Sequence, residues 1–101
     1  MKLAVLGAGA WGSAVAKVAA TQHTVALWAR DPQQAEVIAR SHENARYLPG
    51  IALGAAVHAS ADLASAIAGA DLIILATPTD ALRPTLAALA QLKVAVPLVW
   101  L

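Results

Sequence analysis

Gly7, Gly9 and Gly12 form a G-x-G-x-x-G run, Gly7-Ala8-Gly9-Ala10-Trp11-Gly12. That spacing suits a chain that must turn sharply, admit a phosphate against its backbone and then open a helix. Gly7 is placed for the turn, Gly9 for the approach of a pyrophosphate, and Gly12 for close packing of helix on strand. A helix starting here would add unpaired N–H groups and its positive dipole end to an anion. Trp11, inside the loop, is placed to pack over a bound molecule. Without the right surroundings the same run is a ligand-free glycine-rich turn, so the flanking elements decide.

Two further segments carry polar chemistry. At Ala29-Arg30-Asp31, a site for NAD would usually set a carboxylate on the ribose 2′-hydroxyl. Ala29 stands where that carboxylate is expected, and Arg30 follows it. An arginine there can grip a 2′-phosphate or stack on adenine. Asp31 is the rival ribose ligand, but Pro32 and Gln34 complete an Asp-x-x-Gln capping box, so helix capping is its expected role. NADP is therefore favoured over NAD. Thr77-Pro78-Thr79 should lie on the same sheet edge as the glycine loop and pass near the nicotinamide half. It also reads as a simple strand-to-helix turn with Thr79 as N-cap, and the two readings are compatible.

The elements that must position these residues alternate. Lys2–Leu6 reads as a buried strand, Gly12–Ala20 as a helix, and Thr24–Ala29 as the second strand. A helix from Pro32 to about Ser41, the polar loop His42–Gly50 and a short strand at Val57 follow. Ser60 is placed to cap a helix with Asp62 in its first turn, which Gly69 stops. Asp71–Ala76 is the most apolar strand, the next helix runs to about Leu92 with Pro84 marking a kink or a break, and Val94–Leu101 is the fifth strand. The glycine run thus follows a strand and opens a helix within a βαβ unit of about 30 residues. Alternating strands and helices with right-handed crossovers predict an α/β fold, a Rossmann-like doubly wound parallel sheet of order 3-2-1-4-5. The expected domain is 1–101, truncated in or just after the fifth strand, because Val99-Trp100-Leu101 is apolar to its last residue.

Composition narrows the function. The 101 residues are 59% hydrophobic and 13% charged, with a net charge of +1 and no cysteine. Lys and Arg are scattered, so nothing favours nucleic acid. Without cysteine neither a disulfide framework nor a thiolate zinc site can form. His23, His42 and His58 lack ligand spacing and read as surface or loop residues, with no metal site expected. Trp28 and Trp100 read as core. Met1-Lys2 and the apolar run to Ala14-Val15-Ala16 look like a signal peptide, but the glycine spacing and the continuing strand–helix pattern outweigh that. No apolar run approaches the ~18 residues of a membrane span. A cytoplasmic location is expected.

At this point the residues resemble one family. GAGAWG at 7–12, LWARDP at 27–32 and NARYLPG at 44–50 are similar to bacterial-type NAD(P)-dependent glycerol-3-phosphate dehydrogenase. So are TPTDALR at 77–83 and PLVW at 97–100. The loop at 44–50 is the most specific of these, since glycine fingerprints are shared by many dehydrogenases. The resemblance implies interconversion of dihydroxyacetone phosphate and sn-glycerol 3-phosphate for phospholipid synthesis, with a helical substrate domain absent from this chain. It implies cofactor contacts from Trp11, Arg30 and Tyr47, and from the backbone N–H of Ala10, where the family often has Ser. Gly7, Gly9, Gly12 and Pro78 complete the expected cofactor-binding set. The family's catalytic lysines fall after Leu101, so no catalytic residue is expected here. The small-molecule substrate would be the partner, and a homo-oligomer stays open. Alternatives are another NADP dehydrogenase of the ketopantoate reductase or 6-phosphogluconate dehydrogenase type, which the 44–50 loop disfavours, and a non-enzymatic nucleotide-sensing domain.

Overall fold

A computed structural model describes residues 1–100. Five strands and four helices alternate: β1 (Lys2–Leu6), α1 (Ala10–Ala19), β2 (Thr24–Trp28), α2 (Pro32–Ser41), β3 (Val57–Ser60), α3 (Leu63–Ile67), β4 (Leu72–Leu75), α4 (Thr79–Gln91) and β5 (Leu98–Trp100). All pairings between them are parallel, and the sheet order is β3-β2-β1-β4-β5. The chain reverses its direction of travel across the sheet between β1 and β4. In open α/β sheets the crevice for ligand forms at the carboxyl ends of such strands.

The period-two alternation of strand side chains divides the core in two. Leu3, Val5, Val25 and Leu27 face one side, where Ala16 of α1 and Ala35 and Ile38 of α2 cover them. Ala4, Leu6, Ala26, Trp28, Ile73 and Leu75 face the other, against Ala66 of α3 and Leu89 of α4. After Lys2, the β1 run Leu3–Leu6 is apolar at every position because both of its faces are buried.

Several local expectations change. Helix α1 starts at Ala10, before Gly12, with Gly9 as its cap residue. Asp31 caps α2 by accepting from the Gln33 N–H at 2.9 Å. Gln34, however, does not close the capping box: its amide donates to the Ala8 carbonyl at 2.9 Å, drawn to a backbone acceptor in the glycine loop. Ser60 ends β3 and accepts from the Asp62 N–H, so the α3 cap position falls to Asp62, whose side chain makes no capping bond. Pro78, not Thr79, holds the α4 cap position. Helix α4 continues through Pro84, with Ala81, Thr85 and Leu89 buried at four-residue intervals along one face. Strand β5 is shorter than expected: Lys93 turns the chain at φ 55°, strand geometry begins at Leu98, and Leu101 lies outside the described residues. Trp100 is not core but 65% exposed, because β5 is an edge strand with no described element packed over it.

Candidate functional site

The glycine loop connects β1 to α1 at the carboxyl edge of the sheet, and its three glycines differ in what they are for. Gly7 has φ +121°, and a Cβ there would lie 2.6 Å from the Ala76 carbonyl oxygen. A Cβ on Gly12 would lie 1.8 Å from the Gly7 carbonyl oxygen. Both are therefore required by the fold. Gly9 is required by neither backbone nor packing: its φ is −77° and a Cβ would meet nothing within 4 Å. Of the six glycines it alone combines an ordinary φ with open space.

That open space faces the start of α1. The first bond up the helix runs from the Ser13 N–H to the Gly9 carbonyl, leaving the N–H groups of Ala10, Trp11 and Gly12 without an intrahelical acceptor. No acidic side chain occupies the first turn. A helix terminus of this kind can take an anion.

A cleft of about 1020 Å³ opens from this loop. One wall is Gly7–Trp11, one is Arg30, Asp31 and Gln34 after β2, and one is Ala76–Pro78 with Asp80 and Ala81 after β4. Arg46 and Tyr47 enter from the 42–50 loop. Among the expected site residues, Gly7, Gly9, Ala10, Trp11, Arg30, Tyr47 and Pro78 line this cleft; Gly12 lies behind the loop, buried against Gly7. Trp11 is 79% exposed over the opening. Ala29 is buried and does not reach the cleft, so Arg30 is the first residue after β2 that does. Thr77 Oγ1 is buried in the β4-side wall without a hydrogen-bond partner. Backbone donors, a cradle open at Gly9 and a spare hydroxyl fit a ligand carrying phosphates and a polar ring.

Sequence reading missed the residues that hold the site together. Asn44 is buried, and its Nδ2 donates to the Ala8 carbonyl at 2.6 Å and to Ser13 Oγ at 2.8 Å. Its own carbonyl accepts from Leu48 N–H at 2.7 Å and Tyr47 N–H at 3.3 Å. One side chain thus ties the 42–50 loop to both ends of the phosphate loop. Gln34 holds the same Ala8 carbonyl from α2. Arg46 was missed too; its guanidinium lies 5.2 Å from the Tyr47 ring centre, a cation–π contact at the cleft rim. An amide at the head of an otherwise solvated loop, three residues before an aromatic, was the available signal.

A parallel 3-2-1-4-5 sheet with a phosphate-type loop at its switch point defines a Rossmann-type α/β domain. The profile of NAD-dependent glycerol-3-phosphate dehydrogenase N-terminus matches residues 2–101. The chain belongs to that family. A glycerol-3-phosphate dehydrogenase [NAD(P)+] of Variovorax paradoxus is 54% identical over all of this chain, which spans 30% of the relative's length. The crystal structure of the glycerol-3-phosphate dehydrogenase of Coxiella burnetii superposes with a TM-score of 0.91 at 28% identity, over 98% of this chain and 31% of that one. The Plasmodium falciparum glycerol-3-phosphate dehydrogenase gives 0.90 at 34% identity, over 99% and 31%. The chain therefore spans about a third of the length of the relatives it matches.

Proposed function

We propose that this chain is the NAD(P)-binding part of a dehydrogenase that interconverts dihydroxyacetone phosphate and sn-glycerol 3-phosphate for glycerophospholipid synthesis. The observation that carries the binding reading is Gly9, a glycine needed by neither backbone nor packing, at a helix terminus with free N–H donors. The reaction is carried over from the relatives' names and the family match.

The N–H groups of Ala10, Trp11 and Gly12 would bind the pyrophosphate. Arg30 would hold the adenosine end, with NADP favoured over NAD because Ala29 supplies no carboxylate for the ribose. Trp11 and Tyr47 would flank the cofactor, and Pro78 with Thr77 would border its nicotinamide half. When bound, the nicotinamide supplies or accepts a hydride. The groups that polarise the ketone and hold the substrate phosphate would lie outside residues 1–101, one shortly after β5 and the others in a helical substrate domain, and the whole protein would be cytoplasmic.

The test is Gly9→Val, titrated with NADPH and NADH by calorimetry. A Cβ at Gly9 meets no protein atom within 4 Å and φ is an ordinary −77°, so the domain should stay folded by circular dichroism while both cofactors lose measurable binding. Retained NADPH binding would show that the pyrophosphate lies elsewhere.

A further inference from the structure

We propose that Arg46 is a second guanidinium for the 2′-phosphate of NADP, acting beside Arg30; this rests on the cofactor reading above. The two arginines reach the cleft from different parts of the chain, Arg30 from the exit of β2 and Arg46 from the 42–50 loop. Neither forms an ion pair among the described residues, where the salt bridge found is Arg40 with Glu36. Asp31 shares their wall, and its Oδ1 accepts the Gln33 N–H. Asp80 lies on the β4 side.

A ribose hydroxyl calls for one acceptor and gives two unpaired guanidinium groups no anion to meet. A 2′-phosphate, carrying about −1.5 to −2 charge near neutral pH, matches both. Arg46 is also placed rather than free. Its guanidinium rests over Tyr47, and Tyr47 is anchored through its N–H to the carbonyl of Asn44, whose side chain is bolted to Ala8 and Ser13. The arginine at the ribose end and the N–H groups at the pyrophosphate end are thereby fixed to one another. A stacked arginine loses less conformational freedom on binding than a solvated one, which makes Arg46 a specificity device and not only a surface charge.

The experiment compares adenosine 2′,5′-bisphosphate with adenosine 5′-monophosphate, which differ in the 2′-phosphate alone, by tryptophan fluorescence of this chain. Arg46 is exposed, so Arg46→Ala should leave the circular dichroism spectrum unchanged. It should weaken the bisphosphate on the order of tenfold or more and the monophosphate by less than about twofold. Arg46→Lys should restore part of the loss, and raised salt should narrow the gap between the two ligands in the unmodified chain. Equal losses for both ligands would reduce Arg46 to an adenine shelf, and no loss for either would remove it from the site; each overturns the proposal. Failure of the unmodified chain to bind both ligands and NADPH would instead sink the cofactor reading itself, and the proposal with it.

Discussion

Gly9 and Gly12 sit three positions apart in one loop, yet they answer to different constraints, and single substitutions separate them. Gly12→Ala would push a Cβ to 1.8 Å from the Gly7 carbonyl oxygen. Neither that backbone atom nor the helix can move aside cheaply, so a loss of about 3 kcal/mol or more is expected in a denaturant titration. Gly9→Ala meets no neighbour and should leave stability within about 1 kcal/mol of the parent, while weakening NADPH. Arg30 allows a second prediction at this scale. Arg30→Ala should weaken NADPH more than NADH, on the order of tenfold for the phosphate-bearing cofactor, the size of one lost charge-assisted hydrogen bond. Equal losses, read from paired calorimetric titrations, would leave adenine stacking as its role. These residues were legible in the sequence because each acts within a few positions of its neighbours. The glycine spacing, the Asp31 cap and the missing carboxylate at Ala29 can all be read locally. Gln34 could not, because its preferred acceptor lies 26 residues back in the glycine loop.

The 42–50 loop shows where element-level reading stops. Its sequence is polar and solvated, and nothing in its periodicity announces that Asn44 is buried. The bonds that bury it reach back 36 residues to Ala8 and 31 to Ser13, distances over which spacing carries no signal. Strands and helices were legible because their apolar period is internal to each segment, and the alternation Leu3, Val5 against Ala4, Leu6 is what the two-sided core requires. The ends of elements were less so. Whether Pro84 would kink or break α4 depended on the packing of Ala81, Thr85 and Leu89, and the onset of β5 on the turn at Lys93. The Asn44 network gives the element-scale prediction. Asn44→Ala removes both donors and leaves the fully buried Ser13 hydroxyl without that partner. A loss of about 1–3 kcal/mol is expected, measured by chemical denaturation. NADPH should weaken as well, since Arg46 and Tyr47 would no longer be fixed to the phosphate loop. An unchanged NADPH affinity with the full stability loss would confine Asn44 to folding.

At the scale of the whole molecule, the two edges of the sheet differ. Strand β3 is flanked by α2 and α3, whereas β5 presents Leu98, Val99 and Trp100 with 46%, 44% and 65% of their surface exposed. An apolar edge strand offers both unpaired backbone groups and a hydrophobic face to another chain. This chain should therefore self-associate as its concentration rises, and Val99→Lys should shift the mass measured by light scattering toward the monomer. The cleft carries arginines on its β2 and 42–50 sides but is poorly equipped at the other end. Around Thr77–Ala81 the lining side chains are a hydroxyl, an imino ring, a carboxylate and a methyl, with no lysine or arginine. Reduction of dihydroxyacetone phosphate needs a cation to hold the phosphate and a donor to polarise the ketone. Asp80 at that end would repel the substrate phosphate, and an ionised carboxylate has no proton to donate to the ketone. Residues 1–101, supplied with NADPH and dihydroxyacetone phosphate, should consequently bind the cofactor and show no oxidation of it in an absorbance assay. Turnover above the no-substrate control would place catalytic groups inside this cleft and overturn the assignment of chemistry to another part of the protein.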